Sequence, residues 1–205
     1  MTPQHDPAKA PSPVGESVRR IDALEKTTGE AQFTDDLHFG PNLLYGRVVR
    51  SPHPHALIKS IDVSKALALG GVRAVVTGDD TPGFIGLYLK DRHTFCRDRV
   101  RYVGDPVAGV VASSEEIAEA ACKLVAVEYE ILDPVLDSLD GVEPNAPLLH
   151  PDLENYEVAN FIFPKSGTNI SNHFKVRKGD VDAAWESCEV IVEHSFRVPH
   201  VQHVP

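Results

Sequence analysis

Residues 100–132, VRYVGDPVAGVVASSEEIAEAACKLVAVEYEIL, decide the fold of this chain because their pattern changes several times over a short distance. Two extended apolar runs stand on either side of Gly-Asp-Pro at 104–106, and glycine and proline interrupt regular structure. The segment 115–125 then has helical periodicity, and VAVEYEIL at 125–132 is typical of a strand. The stretch therefore predicts strands joined by one well-defined helix.

The beginning and the buried face of that helix can also be predicted. Ser113 followed by Glu116 matches the capping-box pattern, in which a hydroxyl and a carboxylate satisfy the first amide groups of a helix. Apolar side chains recur with the spacing that places them on one helical face. These residues are Ile117, Ala120, Ala121 and Leu124.

Upstream of this stretch, the chain alternates between strand-like and turn-like segments. LLYGRVVR at 43–50 and ALIKSIDV at 56–63 are rich in β-forming residues. SKALAL at 64–69 predicts a short helix that ends at two glycines, and VRAVVTG at 72–78 predicts a buried strand. Strands dominate without regular strand–helix–strand alternation, which favours an α+β fold.

The two ends of the chain differ from this region. Residues 1–13 contain four prolines and are predicted to be a disordered tail. Residues 133–169 are rich in proline and predict an extended linker. Strands are predicted at 170–176 and 189–198, on either side of a helix that Asp180 caps. An unpaired edge at 189–198 would favour self-association.

Composition excludes several classes of protein. The formal charge of −10 argues against a nucleic-acid-binding face, which needs clustered cations. The three cysteines are scattered, so their spacing fits neither an iron–sulfur nor a structural zinc site and indicates a reducing compartment. No apolar run is long enough to span a membrane. These properties predict a soluble cytoplasmic protein.

His53 and His55 raise the question of a metal site. In an extended segment, residues two apart face the same side, so both imidazoles could approach one ion. A metal site needs at least one further ligand, and the other histidines follow no ligand spacing. The proline before each histidine favours a stiff turn between two strands. We predict such a corner and no metal ligands, with a histidine-based metal enzyme as the alternative.

Other residues that could carry chemistry are better explained as turns. The acidic pairs Asp35-Asp36 and Asp79-Asp80 are typical turn formers, although paired carboxylates can also serve acid–base catalysis. Cys96 stands next to Arg97, and a neighbouring cation lowers a thiol pKa. The chain lacks phosphate-binding glycine loops and a nucleophile-elbow motif. From the residues alone, we assign no catalytic residue.

The order of four segments is more informative than any single motif. Segments 14–37, 43–80, 98–132 and 178–205 follow one another in an order and spacing similar to those of one family. The chain resembles the N-terminal part of the molybdopterin-binding large subunit of the xanthine dehydrogenase/aldehyde oxidase, or molybdenum hydroxylase, family. The RSPHPHA corner at 50–56 is a marker of this resemblance.

The resemblance implies an α/β-hammerhead domain at 14–132, followed by the linker 133–169 and the first strands of a truncated molybdopterin-binding domain at 170–205. Full-length relatives use a molybdenum–molybdopterin cofactor to hydroxylate an aldehyde, aromatic or N-heterocyclic substrate with water as the oxygen source. Electrons leave through iron–sulfur and flavin subunits or domains. Most cofactor contacts and the glutamate base lie in the remainder of the large subunit.

The resemblance also implies what this chain can do alone. His203 matches a histidine near the cofactor, whereas no catalytic residue can be carried over. Val201 stands where xanthine-oxidising relatives commonly have glutamine, so the substrate class stays open. The chain is expected to be a structural, inactive fragment without bound cofactor. The alternative is a stand-alone hammerhead interaction module without redox activity.

Overall fold

A computed structural model describes residues 14–15, 17–199 and 201. The predicted disordered tail at 1–13 lies outside these residues. The chain divides into two compact units, one ending at Leu44 and one beginning at Tyr45. The described part of the first unit contains helix α1, Ala23–Thr28, and a 3₁₀ turn, Thr34–Asp36.

The second unit contains the sheets. Its strands are β1 Tyr45–Arg50, β2 Ala56–Asp62, β3 Val72–Thr77, β4 Phe84–Ile85, β5 Arg92–His93, β6 Arg99–Val100, β7 Pro106–Ala112 and β8 Ala126–Ile131. Its helices are α2 Ser64–Leu67, α3 Glu115–Cys122 and α4 Val181–Ser187, with 3₁₀ turns at Asp140–Val142 and Leu153–Asn155. No helix of the described chain is long and apolar enough to cross a membrane.

The strands form two three-stranded antiparallel sheets and one short hairpin. The first sheet has the order β1-β7-β3, the second has the order β6-β2-β8, and β4 pairs with β5. Strand β7 supplies both apolar cores, because Val107 and Val110 lie an odd number of residues apart and point to opposite faces. Val110 packs with Ala66 of α2 and Ala121 of α3, whereas Val107 packs with Ala56 of β2.

The strands predicted at 43–50, 56–63 and 72–78 are confirmed, and so are the helices after Ser64 and Asp180. The strand at 72–78 is not buried as predicted, because β3 lies at the edge of its sheet and its residues are at most half-buried. Asp180 Oδ1 accepts a hydrogen bond from Ala183 N at 3.1 Å, as expected of an N-cap. The mixed helix and strand content agrees with the α+β prediction.

The cap of α3 lies one residue after the predicted position, and its buried face also differs from the prediction. The cap is Ser114 and not Ser113, because Ser114 is extended and its hydroxyl accepts from Ile117 N at 3.3 Å. Ser113 instead donates its backbone N–H to Gly71 O. Ala118 is buried instead of Ala120 and Leu124, which are both exposed, and Leu124 lies beyond the end of the helix. Two adjacent serines made the sequence pattern ambiguous by one residue.

The strands predicted at 170–176 and 189–198 do not form within the described chain. Both segments lack a ladder partner there, and an extended segment becomes a strand only when its amide and carbonyl groups are paired. Exposed apolar side chains remain along the second segment, including Val192 at 83% and Phe196 at 86% exposure. The proposed domain boundaries at 132, 133–169 and 170–205 stay predictions.

Candidate functional site

The corner at residues 51–55 joins β1 to β2 and is bent instead of extended. Ser51 Oγ accepts from His53 N and donates to His53 O, both at 3.0 Å, which closes a tight turn. His53 packs edge-on against the Tyr129 ring at 5.0 Å, while His55 is 2% exposed. The two imidazoles therefore occupy different environments, and the same-face geometry expected of an extended segment does not hold.

His55 joins three parts of the fold. Its Nε2 lies 2.8 Å from Arg99 Nη1, and its Nδ1 lies 2.7 Å from the carbonyl oxygen of Asp133. Since a guanidinium only donates, Nε2 accepts, and Nδ1 carries the proton that is donated to Asp133. Both ring nitrogens thus have protein partners. Within the described residues, no group of three or more His, Cys, Asp and Glu side chains could hold a metal ion.

The Gly-Asp-Pro segment at 104–106, called the breaker because it interrupts regular structure, is hydrogen-bonded to this corner. Ser51 N donates to Asp105 O at 2.9 Å, and Gly104 N donates to Ser51 O at 2.8 Å. Asp105 is 7% exposed, and its Oδ2 accepts from Arg101 N at 2.9 Å. The breaker therefore has a structural role, because its buried carboxylate satisfies the backbone of the segment that leads out of β6.

Cys96 lies beside this buried carboxylate. Burial raises the pKa of the Cys96 thiol well above its ordinary value, and the negative charge of Asp105 raises it further. The positive charge of Arg101 lowers this pKa by less than burial and Asp105 raise it, and Arg97 pairs with Asp79 Oδ1 at 2.9 Å. Cys96 is therefore a neutral core residue, and its position next to Arg97 in the sequence does not make it a nucleophile.

A small cavity of about 140 Å³ lies between the β5 region and the segment around residue 150. Burial, together with the positive charge of Arg101, lowers the pKa of His150 to about 4. Its Nδ1 lies 3.2 Å from Tyr156 Oη, and Arg101 Nε donates to Leu149 O at 2.8 Å. Arg101 thus attaches this segment to the end of β6, and the neutral His150 lies in the cavity between them and contacts Tyr156 within the segment.

A larger cleft of about 630 Å³ opens nearby. Phe84 stacks on His93 with ring centroids 4.2 Å apart and lies 5.2 Å from Tyr156. The cleft also contains three carboxylates and two arginines: Asp79, Asp98, Asp152, Arg97 and Arg101. Sequence reasoning missed this cleft because its residues come from segments far apart in the chain, and no local spacing connects them.

Neither cavity fits the molybdopterin cofactor. The small one lies below the range of about 300–1,000 Å³ typical of sites for molecules of that size. The large one presents carboxylates toward any anionic group, and its Arg97 and Arg101 are engaged with Asp79 and with Leu149 O. A phosphate-bearing pterin would meet repulsion there without a free cationic partner.

The predicted acidic turns are confirmed where the structure describes them. Asp80 Oδ2 accepts from Thr77 N at 2.8 Å, and Asp36 Oδ2 accepts from Phe33 N at 2.9 Å. Both carboxylates therefore close local turns. His203, the one residue predicted to lie near a cofactor, is outside the described residues, so its role stays a prediction.

Comparison with known proteins identifies a matching family model and several relatives of this chain. A family model described as aldehyde oxidase and xanthine dehydrogenase, a/b hammerhead domain, matches residues 28–133. The chain is 40% identical over 187 residues to one subunit of a probable xanthine dehydrogenase of Bacillus subtilis (strain 168), covering 90% of this chain and 23% of that protein. It is 34% identical to the nicotinate dehydrogenase large molybdopterin subunit of Eubacterium barkeri, covering 93% of this chain and 42% of that one.

Solved structures agree with these relatives. A Cu,Mo-CO dehydrogenase in its carbon monoxide reduced state matches 84% of this chain and 22% of its own with a TM-score of 0.66 and 32% identity. An aldehyde oxidoreductase from Desulfovibrio gigas matches 65% of this chain and 16% of its own, with a TM-score of 0.59 and 31% identity. This chain thus spans less than half the length of these relatives. The ordered segments, the two sheets and the matched residues together show that it belongs to the aldehyde oxidase and xanthine dehydrogenase family and carries that family's α/β-hammerhead domain.

Proposed function

We propose that this chain is the N-terminal hammerhead part of a cytoplasmic molybdenum hydroxylase large subunit, that its role is structural, and that it has no turnover alone. The family match across residues 28–133 supports this proposal. Relatives named as a large molybdopterin subunit and as the large chain of a carbon monoxide dehydrogenase point to the same type of subunit.

The use of the buried polar residues supports a structural role. His55, Asp105 and Arg101 use their hydrogen bonds to hold the corner, the breaker and the segment near residue 150 together. Cys96 is a buried neutral thiol. The groups that are best shielded from water are therefore engaged within the fold and are not directed toward a substrate.

Among the described residues, Ser60 and Thr77 donate hydroxyl hydrogen bonds to carboxylates, and both pairs stabilise the fold at exposed positions. Ser60 Oγ donates to Glu128 Oε2 at 3.2 Å between β2 and β8, and Thr77 Oγ1 donates to Asp80 Oδ2 at 3.1 Å within a turn. An activated nucleophile needs a base that a third group orients in turn. The two contacts are better explained as a cross-strand pair and a turn closure.

In the complete enzyme, the molybdenum–molybdopterin cofactor would supply hydroxylation of an aldehyde, aromatic or N-heterocyclic substrate with oxygen from water. Iron–sulfur and flavin subunits or domains would accept the electrons. The two cavities described above do not fit this cofactor, so we assign their residues no part in the reaction. His203 is proposed to lie near the cofactor in the complete enzyme.

Metal analysis and turnover assays on the purified 205-residue chain test the proposal. The chain is expected to carry no stoichiometric molybdenum and to show no dye-linked oxidation of an aldehyde or of xanthine. Stoichiometric molybdenum together with turnover would overturn the inactive-fragment proposal.

The neighbouring DNA separates the proposal from its alternative. A reading frame or adjacent gene that encodes the remainder of the large subunit supports a molybdenum hydroxylase. An unrelated gene neighbourhood favours a stand-alone hammerhead interaction module, which would retain this fold without redox chemistry.

A further inference from the structure

Negative charge is concentrated in one part of the chain. Residues 124–164 contain nine Asp and Glu residues and no Lys or Arg, so they account for nearly all of the formal charge of −10. Three of the nine carboxylates form ion pairs within the described chain: Glu130 with Lys59, Asp137 with Arg197 and Glu157 with Lys90. The segment therefore presents a largely uncompensated acidic surface.

Residues 136–143 add an exposed apolar row to this surface. Leu136, Leu139 and Val142 are 82%, 73% and 54% exposed. An acidic residue follows each of them at 137, 140 and 143. A period of three matches the 3₁₀ turn at Asp140–Val142, in which residues i and i+3 eclipse. We call this paired apolar and acidic surface the 136–143 ridge.

The ridge is held in shape from within. Asp137 Oδ1 accepts from Leu139 N at 2.9 Å, and Asp137 O accepts from Gly141 N at 3.0 Å. Gly141 is buried, and its carbonyl accepts from Asn169 Nδ2 at 3.0 Å. A surface that is already ordered loses less conformational entropy on binding than a flexible one.

Within the described chain, an arginine already contacts the acidic row of the ridge. Arg197, in the extended segment 189–198, reaches Asp137 Oδ2 at 3.3 Å. The side chain of Arg197 remains 88% exposed, so this contact leaves the apolar row uncovered. A cation on an extended segment can therefore approach the acidic row, and a ligand with apolar side chains beside its cations would cover both rows.

We propose that the 136–143 ridge is a docking surface for a segment of a partner protein in which basic and apolar residues alternate. Exposed apolar groups gain free energy when they leave water. Complementary charge steers the encounter and selects basic segments over acidic ones. This inference is independent of the redox chemistry, because it depends only on residues of the ridge and on the charge of residues 124–164.

A fluorescent peptide of alternating lysine and leucine tests the proposal with the complete chain. Fluorescence anisotropy is expected to show saturable one-to-one binding that weakens with salt. The double variants Asp140→Lys/Glu143→Lys and Leu136→Ser/Leu139→Ser should each weaken binding about tenfold or more. The matched variant Asp182→Lys/Glu186→Lys makes the same charge change on α4 and should alter affinity by less than about twofold.

Two control peptides separate charge from apolar contact. Replacing lysine by glutamate, or leucine by serine, should abolish saturable binding to the wild-type chain. Equal affinity of the ridge and α4 variants, or undiminished binding of the serine peptide, would overturn the proposal. Circular dichroism verifies folding, and Asp140→Asn/Glu143→Gln replaces any charge-reversal variant that unfolds.

Sedimentation velocity tests a different occupant. Concentration-dependent association of the wild-type chain that the ridge variants abolish would assign the surface to a second copy of this chain. That result would overturn the proposal of a basic partner segment.

Discussion

Strand β2 and the segment 189–198 are similar in residue composition, but only β2 forms a strand in the described chain. ALIKSIDV and EVIVEHSFRV are both rich in β-branched residues. β2 lies between β6 and β8 and buries Ala56, whereas 189–198 has no ladder partner in the described chain and exposes its apolar side chains. Strand formation is thus a property of pairing and burial more than of local preference.

Helices α3 and α4 likewise have similar local sequence features but different burial. α3 and α4 each begin with a side chain that accepts a hydrogen bond from the first turn, Ser114 in one and Asp180 in the other. α3 buries Ala118 and Ala121 against the first sheet, while α4 buries no residue within the described chain. Two helices with similar N-caps therefore differ in stability, because the stability of a helix in a protein depends mainly on the packing of one of its faces.

The largest expected difference in unfolding free energy is between two valine-to-aspartate substitutions, one at a buried valine and one at an exposed valine. Val110→Asp puts an unpaired carboxylate in the core of the first sheet and should cost about 4 kcal/mol or more of unfolding free energy. Val192→Asp, at a side chain that is 83% exposed, should change it by less than about 0.5 kcal/mol. Urea unfolding followed by circular dichroism measures both. Equal effects would show that 189–198 is packed in solution.

Acid should weaken the attachment of the segment around residue 150. The pKa of His150 is about 4 in the folded chain, below its ordinary value, so between these values the unfolded chain binds a proton that the folded chain does not. Stability is therefore complete above about pH 6.5 and falls as the pH drops toward 4, by up to about 3 kcal/mol.

The variant His150→Gln isolates this effect. It should remove this part of the pH dependence, while the contribution of the carboxylates remains common to both proteins. Urea unfolding at about pH 7 and about pH 5 gives the comparison. An unchanged pH dependence in the variant would show that His150 is accessible to protons in the folded chain.

Two glycines with positive φ angles compare crowding directly. Gly71 has φ of 95°, and an added Cβ would lie 2.7 Å from Ile117 Cδ1. Gly179 has φ of 73° and open space around it. Gly71→Ala should cost about 2 kcal/mol through strain and overpacking, and Gly179→Ala about 1 kcal/mol at most. Thermal unfolding ranks the two variants; a greater loss for Gly179→Ala would contradict the assignment of the core.

The smallest effects concern the helix caps. Ser114→Ala should lower the unfolding free energy by about 1 kcal/mol, because α3 is part of the first core. Asp180→Ala should leave global unfolding unchanged and increase amide exchange locally at Ala183, whose N–H it caps. Hydrogen exchange combined with urea unfolding separates global from local loss. A global loss from Asp180→Ala would place α4 within the cooperative unit.

Part of the site could be predicted and part could not. The prolines of the SPHPH corner indicated a stiff turn, and the acidic pairs indicated local turns, because these roles depend on neighbours in the sequence. The partners of His55 and the contact of Phe84 with Tyr156 depend on residues more than forty positions apart, and Cys96 and Asp105 meet across a nine-residue separation that no helical or strand period predicts. Local patterns contain no information about such approaches.

The sequence by itself determined the family, the existence of β1, β2, β3, β7 and β8, and the presence of α3, because segment order and periodicity are properties of the chain alone. Only the tertiary structure decided that 170–176 and 189–198 did not become strands in the described chain, which serine capped α3 and which nitrogen of His55 carries the proton. The physical reason is that distant segments supply the hydrogen-bond partners and the burial of a residue. These contacts determine its pairing, its capping role and its protonation, which the neighbouring sequence does not determine.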